Sequence, residues 1–186
     1  MQKFKVEIEG ITPYMQHRMD DQKLEEWEKN RKVIIERDDI AKGDLVRAEY
    51  HSYCDKEGYY LPSEHIKGAM IGGGALVKSK VGNSKKSMKN IVASMFFIEQ
   101  EKIRLPKFDA IDKRSAVNRN IKARVISIRP KWTKWNAEFT LNIENDTISL
   151  STIKEVIINA GQYIGIGSYR PTNNGWFGKF RLIDIQ

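Results

Sequence analysis

Residues 135–144 alternate without a fault, with Trp135, Ala137, Phe139, Leu141 and Ile143 on one side and Asn136, Glu138, Thr140, Asn142 and Glu144 on the other. A period of two over that length describes a strand with one buried face and one wet face. The chain must therefore build a sheet that something covers on one side. Phe4, Val6 and Ile8 against Lys3, Lys5, Glu7 and Glu9 repeat the pattern, and Gly10 and Pro13 end it. The cover is helical. Pro62-Ser63 opens one helix, with Ser63 as N-cap and Ile66, Met70, Ile71 and Val77 facing inward. Ser151 caps another, in which Ile153, Val156, Ile157 and Ala160 fall at helical spacing.

The remaining segments fill the order. Residues 95–105 read as strand with a turn near Gln100, 106–119 as a long charged loop, and 121–129 as a strand pairing with 135–143 through a turn at 130–134. Residues 20–42 read as exposed helix, 55–58 as a turn before the short apolar run 59–61, 81–90 as a basic loop, and 177–185 as the last strand. Without insertions the order is strand, helix, strand, strand, helix, strand. This predicts an α+β, ferredoxin-like (RRM-like) βαββαβ antiparallel sheet with helices on one face. The whole of 1–186 is expected to be a single domain, with a helical insertion at about 11–61 and a basic loop insertion at about 106–120.

Charge points to a partner. Between Lys67 and Lys134 there are 17 Lys and Arg against four acids (Glu99, Glu101, Asp109, Asp112), a surplus of 13; with +8 overall, the remainder carries −5. Such a block is the footprint of a polyanion-binding face or of a lysine-rich solvated surface. An acidic face on one copy could meet the basic flank of the next. No apolar run reaches membrane-spanning length and Met1–Glu7 has no signal-type apolar core, so a cytoplasmic protein without membrane contact is expected. The single cysteine, Cys54, excludes an intramolecular disulfide.

The densest motif is 161–181, where five glycines lie between a helix end and a strand start, with Arg170 and Lys179 among them. Glycines allow positive φ, so successive N–H groups can converge on an anion, and Tyr169 and Trp176 could stack on bases. A helix stop at Gly161 with a tight packing loop explains the same residues. Gly72-Gly73-Gly74 disfavours its helix, so either something approaches the backbone closely there or the helix ends and restarts. The motif at 161–178 leaves a helix for a strand, so it is not a dinucleotide fingerprint, and no Gly-Lys-Ser/Thr closes a P-loop.

Gly165-Ile166-Gly167-Ser168-Tyr169-Arg170, ending in Gly175-Trp176-Phe177-Gly178-Lys179-Phe180, resembles the C-terminal glycine-rich signature of the RAMP superfamily of CRISPR repeat-associated proteins. Tyr60-Leu61-Pro62-Ser63-Glu64-His65-Ile66-Lys67-Gly68 is similar to the helix opening of RAMP effector backbone subunits. Phe4 to Gly10 followed by Ile11-Thr12-Pro13 resembles the family's first strand. Ser63-Glu64 stands where the family has glycine and serine, and the usual arginine after the opening is missing. A virus-encoded or stand-alone relative fits the resemblance as well as a CRISPR component.

The resemblance implies a modified RNA-recognition-like fold that holds single-stranded nucleic acid by its backbone and assembles in head-to-tail copies or a filament, with RNA favoured over DNA as the expected ligand and both left open. It points to Lys67, Gly165, Gly167, Arg170, Gly175 and Gly178 as the matching residues. Lys67 also reads as an ordinary surface lysine. Tyr169, Trp176 and Lys179 belong to the same loop, and charge alone adds Lys78, Lys80, Lys85, Lys86, Arg119, Lys122 and Arg124. No cofactor and no metal are expected. A metal- or histidine-dependent endoribonuclease using Asp20, Asp21 or His17 is the enzymatic alternative, although paired acids at a helix start more often serve as caps. His17, His51, His65 and Cys54 have no tight ligand pairing beyond His51-x-x-Cys54. A viral module that mimics a CRISPR backbone subunit and binds its effector partners is the third reading.

Overall fold

The computed structural model describes residues 1–18, 43–81, 84–118 and 123–186, with backbone alone at 79–81, 84–85, 116–118 and 123–125. The two alternating segments lie side by side. Strand β1 (Gln2–Gly10) pairs antiparallel with β11 (Asn136–Ile143), Val6 opposite Phe139 and Ile8 opposite Ala137. With β7 (Phe96–Ile98) and β12 (Phe180–Ile185) they make a four-stranded sheet in the order β12-β1-β11-β7, every neighbour antiparallel. Val6, Ile8, Phe139, Leu141 and Ile143 point to the core. They are met by Ile66 and Met70 of helix α2 (Ser63–Leu76) and by Ile153, Val156 and Ile157 of helix α4 (Leu150–Asn159). The protein is α+β. Among the described residues no helix is long and apolar enough to cross a membrane.

Smaller elements surround this frame. Helix α1 (Asp44–Tyr50) leads into strands β3 (Cys54–Asp55) and β4 (Gly58–Pro62), and β4 pairs onward with β8 (Lys102–Arg104). Strand β2 (Tyr14–Met15) joins β10 (Ala123–Trp132), whose other neighbour is β9 (Ala110–Asn118). Strands β5 (Lys78–Val81) and β6 (Ser84–Ser87) form a hairpin before helix α3 (Lys89–Met95).

Several expectations need correction. Of the segment 81–90 expected as a basic loop, Val81 ends β5, Ser84–Ser87 is β6 and Lys89 opens α3, while 82 and 83 lie outside the described residues. Most of 106–119 is strand β9. Its charged run reads as loop in one dimension, but Asp112 is buried against Arg114, which makes a polar strand tenable. The expected 121–129/135–143 hairpin does not form: β10 continues through Pro130 to Trp132, consuming the turn, and pairs with β9 instead. Met95 ends α3 rather than opening a strand, while the turn near Gln100 separates β7 from β8 as the sequence indicates. The last strand begins at Phe180, not 177. Both N-caps shift. Pro62 occupies the cap position of α2, and Ser149, not Ser151, accepts the Thr152 N–H at 3.3 Å in α4. The helix expected within 20–42 lies outside the described residues.

The Gly72–Gly74 run is fully helical, and each glycine meets a different neighbour as the helix turns. A Cβ on Gly72 would sit 2.9 Å from the Ile164 side chain, one on Gly73 2.5 Å from the Val156 carbonyl oxygen, and one on Gly74 2.8 Å from Val92. The helix does not break at the triplet, and the close approach is made by the protein's own helices.

Candidate nucleic-acid interface

Helix α4 ends in a wide turn, Ala160–Ile164, and releases the chain at Gly165 with φ 69°. The loop that follows is tied down on its inner side. Ser168 N–H donates to the Met15 carbonyl at 2.9 Å and Gly178 N–H to that of Pro13 at 2.8 Å, while Ile166 N–H bonds Gly178 O at 2.9 Å. A Cβ on Gly167 would stand 2.4 Å from Met15 O, one on Gly178 1.9 Å from Ile166 O, and one on Gly175 1.7 Å from Tyr169 O. The N–H groups of Gly165, Gly175 and Gly178 are spent on the chain's own carbonyls. These glycines fit the packing-loop reading better than an anion nest.

The outer side of the loop is open. It walls a cavity of about 320 Å³ whose opposite wall is the first turns of α2, with Glu64, His65 and Gly68 facing Gly165, Gly167 and Arg170. A second cavity of about 250 Å³ shares His65, Gly167 and Arg170 and extends to His17, Tyr53 and Asn173. Together they form one crevice. Arg170 is braced there, its Nη1 donating to Gly167 O and its Nε to Thr172 Oγ1, both at 3.0 Å. His65 Nδ1 lies 3.0 Å from the hydroxyl of fully buried Tyr14. Burial first, and then the Arg170 charge, push the imidazole down to about 4.

Behind the crevice a second cation cluster grips Tyr169, whose φ of 53° is unusual for a non-glycine residue. The Arg129 guanidinium lies 4.4 Å from the Tyr169 ring centre and that of Arg114 5.1 Å, with Arg114 also 5.0 Å from Phe177. Asp112 holds Arg114 through a 2.6 Å bond from Nε. Arg129 is only 8% exposed, donates Nε–H to His17 Nδ1 at 3.3 Å, and has no partner for Nη1 among the described residues. Desolvation lowers its affinity for the proton. His17 in turn stacks on His51 at 4.4 Å.

The sequence-derived residues divide. Gly165, Gly167 and Arg170 line the crevice, and Tyr169 packs between the two arginines beside it. Trp176 is 57% exposed and lies on Phe177 at 4.4 Å, so one of its faces remains available for a base. Lys179 lies on the strand side, its N–H bonded to Thr12 Oγ1. Lys67 does not reach the crevice as a free cation. Its ammonium donates to Val92 O at 2.6 Å and to Phe96 O, closing the end of α3, and burial lowers its pKa. Lys78 and Lys86 are exposed on β5 and β6, where Lys80 and Lys85 hold facing register positions; Arg124 lies in β10 opposite Val117. Arg119, Lys122, Asp20 and Asp21 lie outside the described residues.

Sequence reasoning did not single out Arg114, Arg129 or His65 as binding residues. Arg129 and Asp112 are charged residues inside a strand core, and that local conflict is the signal that could have marked them. Cys54 is exposed, and among the described residues no three His, Cys, Asp or Glu converge on a metal-sized site. The outer faces of β1 and β11 carry Lys3, Lys5, Glu7, Glu9, Glu138, Thr140 and Asn142, crossed by the Lys5–Glu138 pair at 2.7 Å. The central strands therefore offer bases no aromatic platform of the kind RNA-recognition sheets use. In comparisons with known proteins, no family model matches the chain, and no curated protein matches it.

Proposed function

We propose that this protein binds single-stranded nucleic acid, RNA in preference to DNA, by its phosphate backbone, as a RAMP-like effector backbone subunit or a stand-alone relative of one. The order β1, α2, β7, β11, α4, β12 and the sheet order β12-β1-β11-β7 support reading the frame as a ferredoxin-like βαββαβ arrangement. One observation carries the functional reading. The two segments that resemble the family's motifs are far apart in sequence, yet Glu64, His65 and Gly68 of the first and Gly165, Gly167 and Arg170 of the second line one crevice. The exposed Lys78 and Lys86 supply further positive charge.

A strand in the crevice is gripped mainly by charge, so its affinity falls steeply with salt. Copies assemble head to tail on the strand, the basic flank of one against the acidic remainder of the next. Fluorescence anisotropy with a labelled single-stranded oligonucleotide tests the reading. Arg170→Glu is expected to weaken binding at least roughly tenfold and to flatten the salt dependence by about one phosphate contact. Equal binding by both proteins overturns it.

The stacked His17 and His51 beside Arg129 favour a second reading, a histidine-dependent endoribonuclease. RNA cleavage that persists in EDTA and vanishes in His17→Ala supports that reading; RNA left intact with and without magnesium removes it.

A further inference from the structure

The hydrogen bonds around Gln16 decide which nitrogen of His65 carries its proton. Gln16 is fully buried and its amide cannot be turned over, because Oε1 accepts the Tyr53 N–H at 2.7 Å while Nε2 donates to Tyr60 O at 2.8 Å. The second Nε2 proton points to the Tyr14 hydroxyl at 3.3 Å. Tyr14 thus accepts from Gln16, and burial keeps its phenol protonated. Its single proton goes to the remaining neighbour, His65 Nδ1, at 3.0 Å. An Nδ1 that accepts leaves the ring proton on Nε2. His65 lines both cavities of the crevice and a third beside Tyr60, and its Nε2 has no partner among the described residues.

We propose that the Gln16–Tyr14 relay locks His65 as an uncharged Nε2–H donor facing the crevice, and that this donor and the Arg170 guanidinium together hold one phosphate oxyanion. The inference rests on the strand-binding reading and adds to it a residue, a tautomer and a subsite. Arg170 spends Nε and Nη1 inside its own loop, leaving Nη2 for the ligand. The division of labour has a physical reason. A second full positive charge buried beside Arg170 is costly, whereas a neutral donor adds directionality without repulsion. The groups packed around His65 are Tyr14 from β2, Tyr53 from the segment before β3, Glu64 on its own helix and Arg170 from the loop, and of these only Glu64 favours protonation.

Nitrogen-15 NMR of the full-length protein reads the tautomer directly, and inorganic phosphate serves as the first probe. At neutral pH the spectrum is expected to show His65 protonated on Nε2 alone, and added phosphate to shift that N–H. A proton on Nδ1, a doubly protonated ring or an N–H indifferent to phosphate overturns the inference. In the oligonucleotide arm His65→Ala is expected to weaken binding about tenfold, and Tyr14→Phe by about threefold because the tautomer is no longer fixed. Undiminished binding by His65→Ala overturns the inference and leaves strand binding standing. A phosphate shift in a protein that binds no strand upholds the subsite and defeats the strand-binding reading.

Discussion

The two glycine-rich segments of this protein solve different problems with the same residue. In α2, Gly72, Gly73 and Gly74 keep ordinary helical backbone, and their missing Cβ atoms let the Ala160–Ile164 turn, α4 and α3 approach from three directions. In the terminal loop, Gly165, Gly167 and Gly178 adopt positive φ, and the chain folds back on itself so tightly that Gly178 touches the Ile166 carbonyl. The first cluster closes the core. The second builds a wall whose inner side is sealed by β2 and whose outer side is left to the crevice. Glycine richness therefore marks close approach in both places, and the terminal loop differs in also lining a crevice with Arg170 and His65.

Gly178 combines a positive φ with close main-chain packing. Gly178→Ala asks for both a left-handed backbone and a Cβ 1.9 Å from a main-chain oxygen. The expected loss is about 4 kcal/mol or more, read as the shift in urea midpoint at constant slope. A loss below about 1 kcal/mol would mean the loop can open without disturbing the frame.

Next in size is His65, in the first turn of α2. The folded ring titrates at about 4 against 6.5 when unperturbed, so the unfolded chain takes up a proton that the folded one refuses. Stability is unaffected above pH 6.5, declines as pH falls below it, and levels near pH 4, a total on the order of 3 kcal/mol. His65→Gln should remove that component from the pH dependence of the urea midpoint. An unchanged profile in the variant would place the loss on other groups.

Gly73→Ala comes third. A methyl group 2.5 Å from Val156 O must push α2 and α4 apart, offset by the better helix propensity of alanine, for a net cost of about 2 kcal/mol. Because only the seam is disturbed, oligonucleotide affinity should survive at temperatures where the variant is folded. A parallel loss of affinity would show that the two glycine clusters are mechanically coupled.

The frame was legible in the sequence wherever burial on one face imposed a period. β1, β11, α2 and α4 all announce themselves through residues such as Val6, Phe139, Ile66 and Val156. Of the second strand pair, β10 was legible within 121–129, whereas β9 and its pairing with β10 were not. β9 hides Asp112 beneath Arg114, and β10 carries Pro130, so charge and proline imitated a loop and a turn. Of the site, Gly165, Gly167 and Arg170 could be found because they share one motif. Lys67 illustrates the converse, since nothing local reveals that the carbonyls of Val92 and Phe96 will take its ammonium. Arg129, His17 and His65 come from three separate segments, and their meeting is a property of topology rather than of spacing.

The smallest effect sharpens the contrast most. Gly68 lies in the same helix as the triplet, yet a Cβ there meets nothing within 4 Å, and the residue lines the crevice rather than a seam. No packing or positive φ demands glycine at this position. Gly68→Ala should therefore stabilise the free protein by about 1 kcal/mol, visible as a rise in Tm. A ligand running between α2 and the loop would meet the added methyl group, so oligonucleotide affinity should fall severalfold even as Tm rises. If the variant is more stable and binds as tightly as before, the strand does not reach the opening of α2, and its contacts lie further along, around Tyr169 and Arg129.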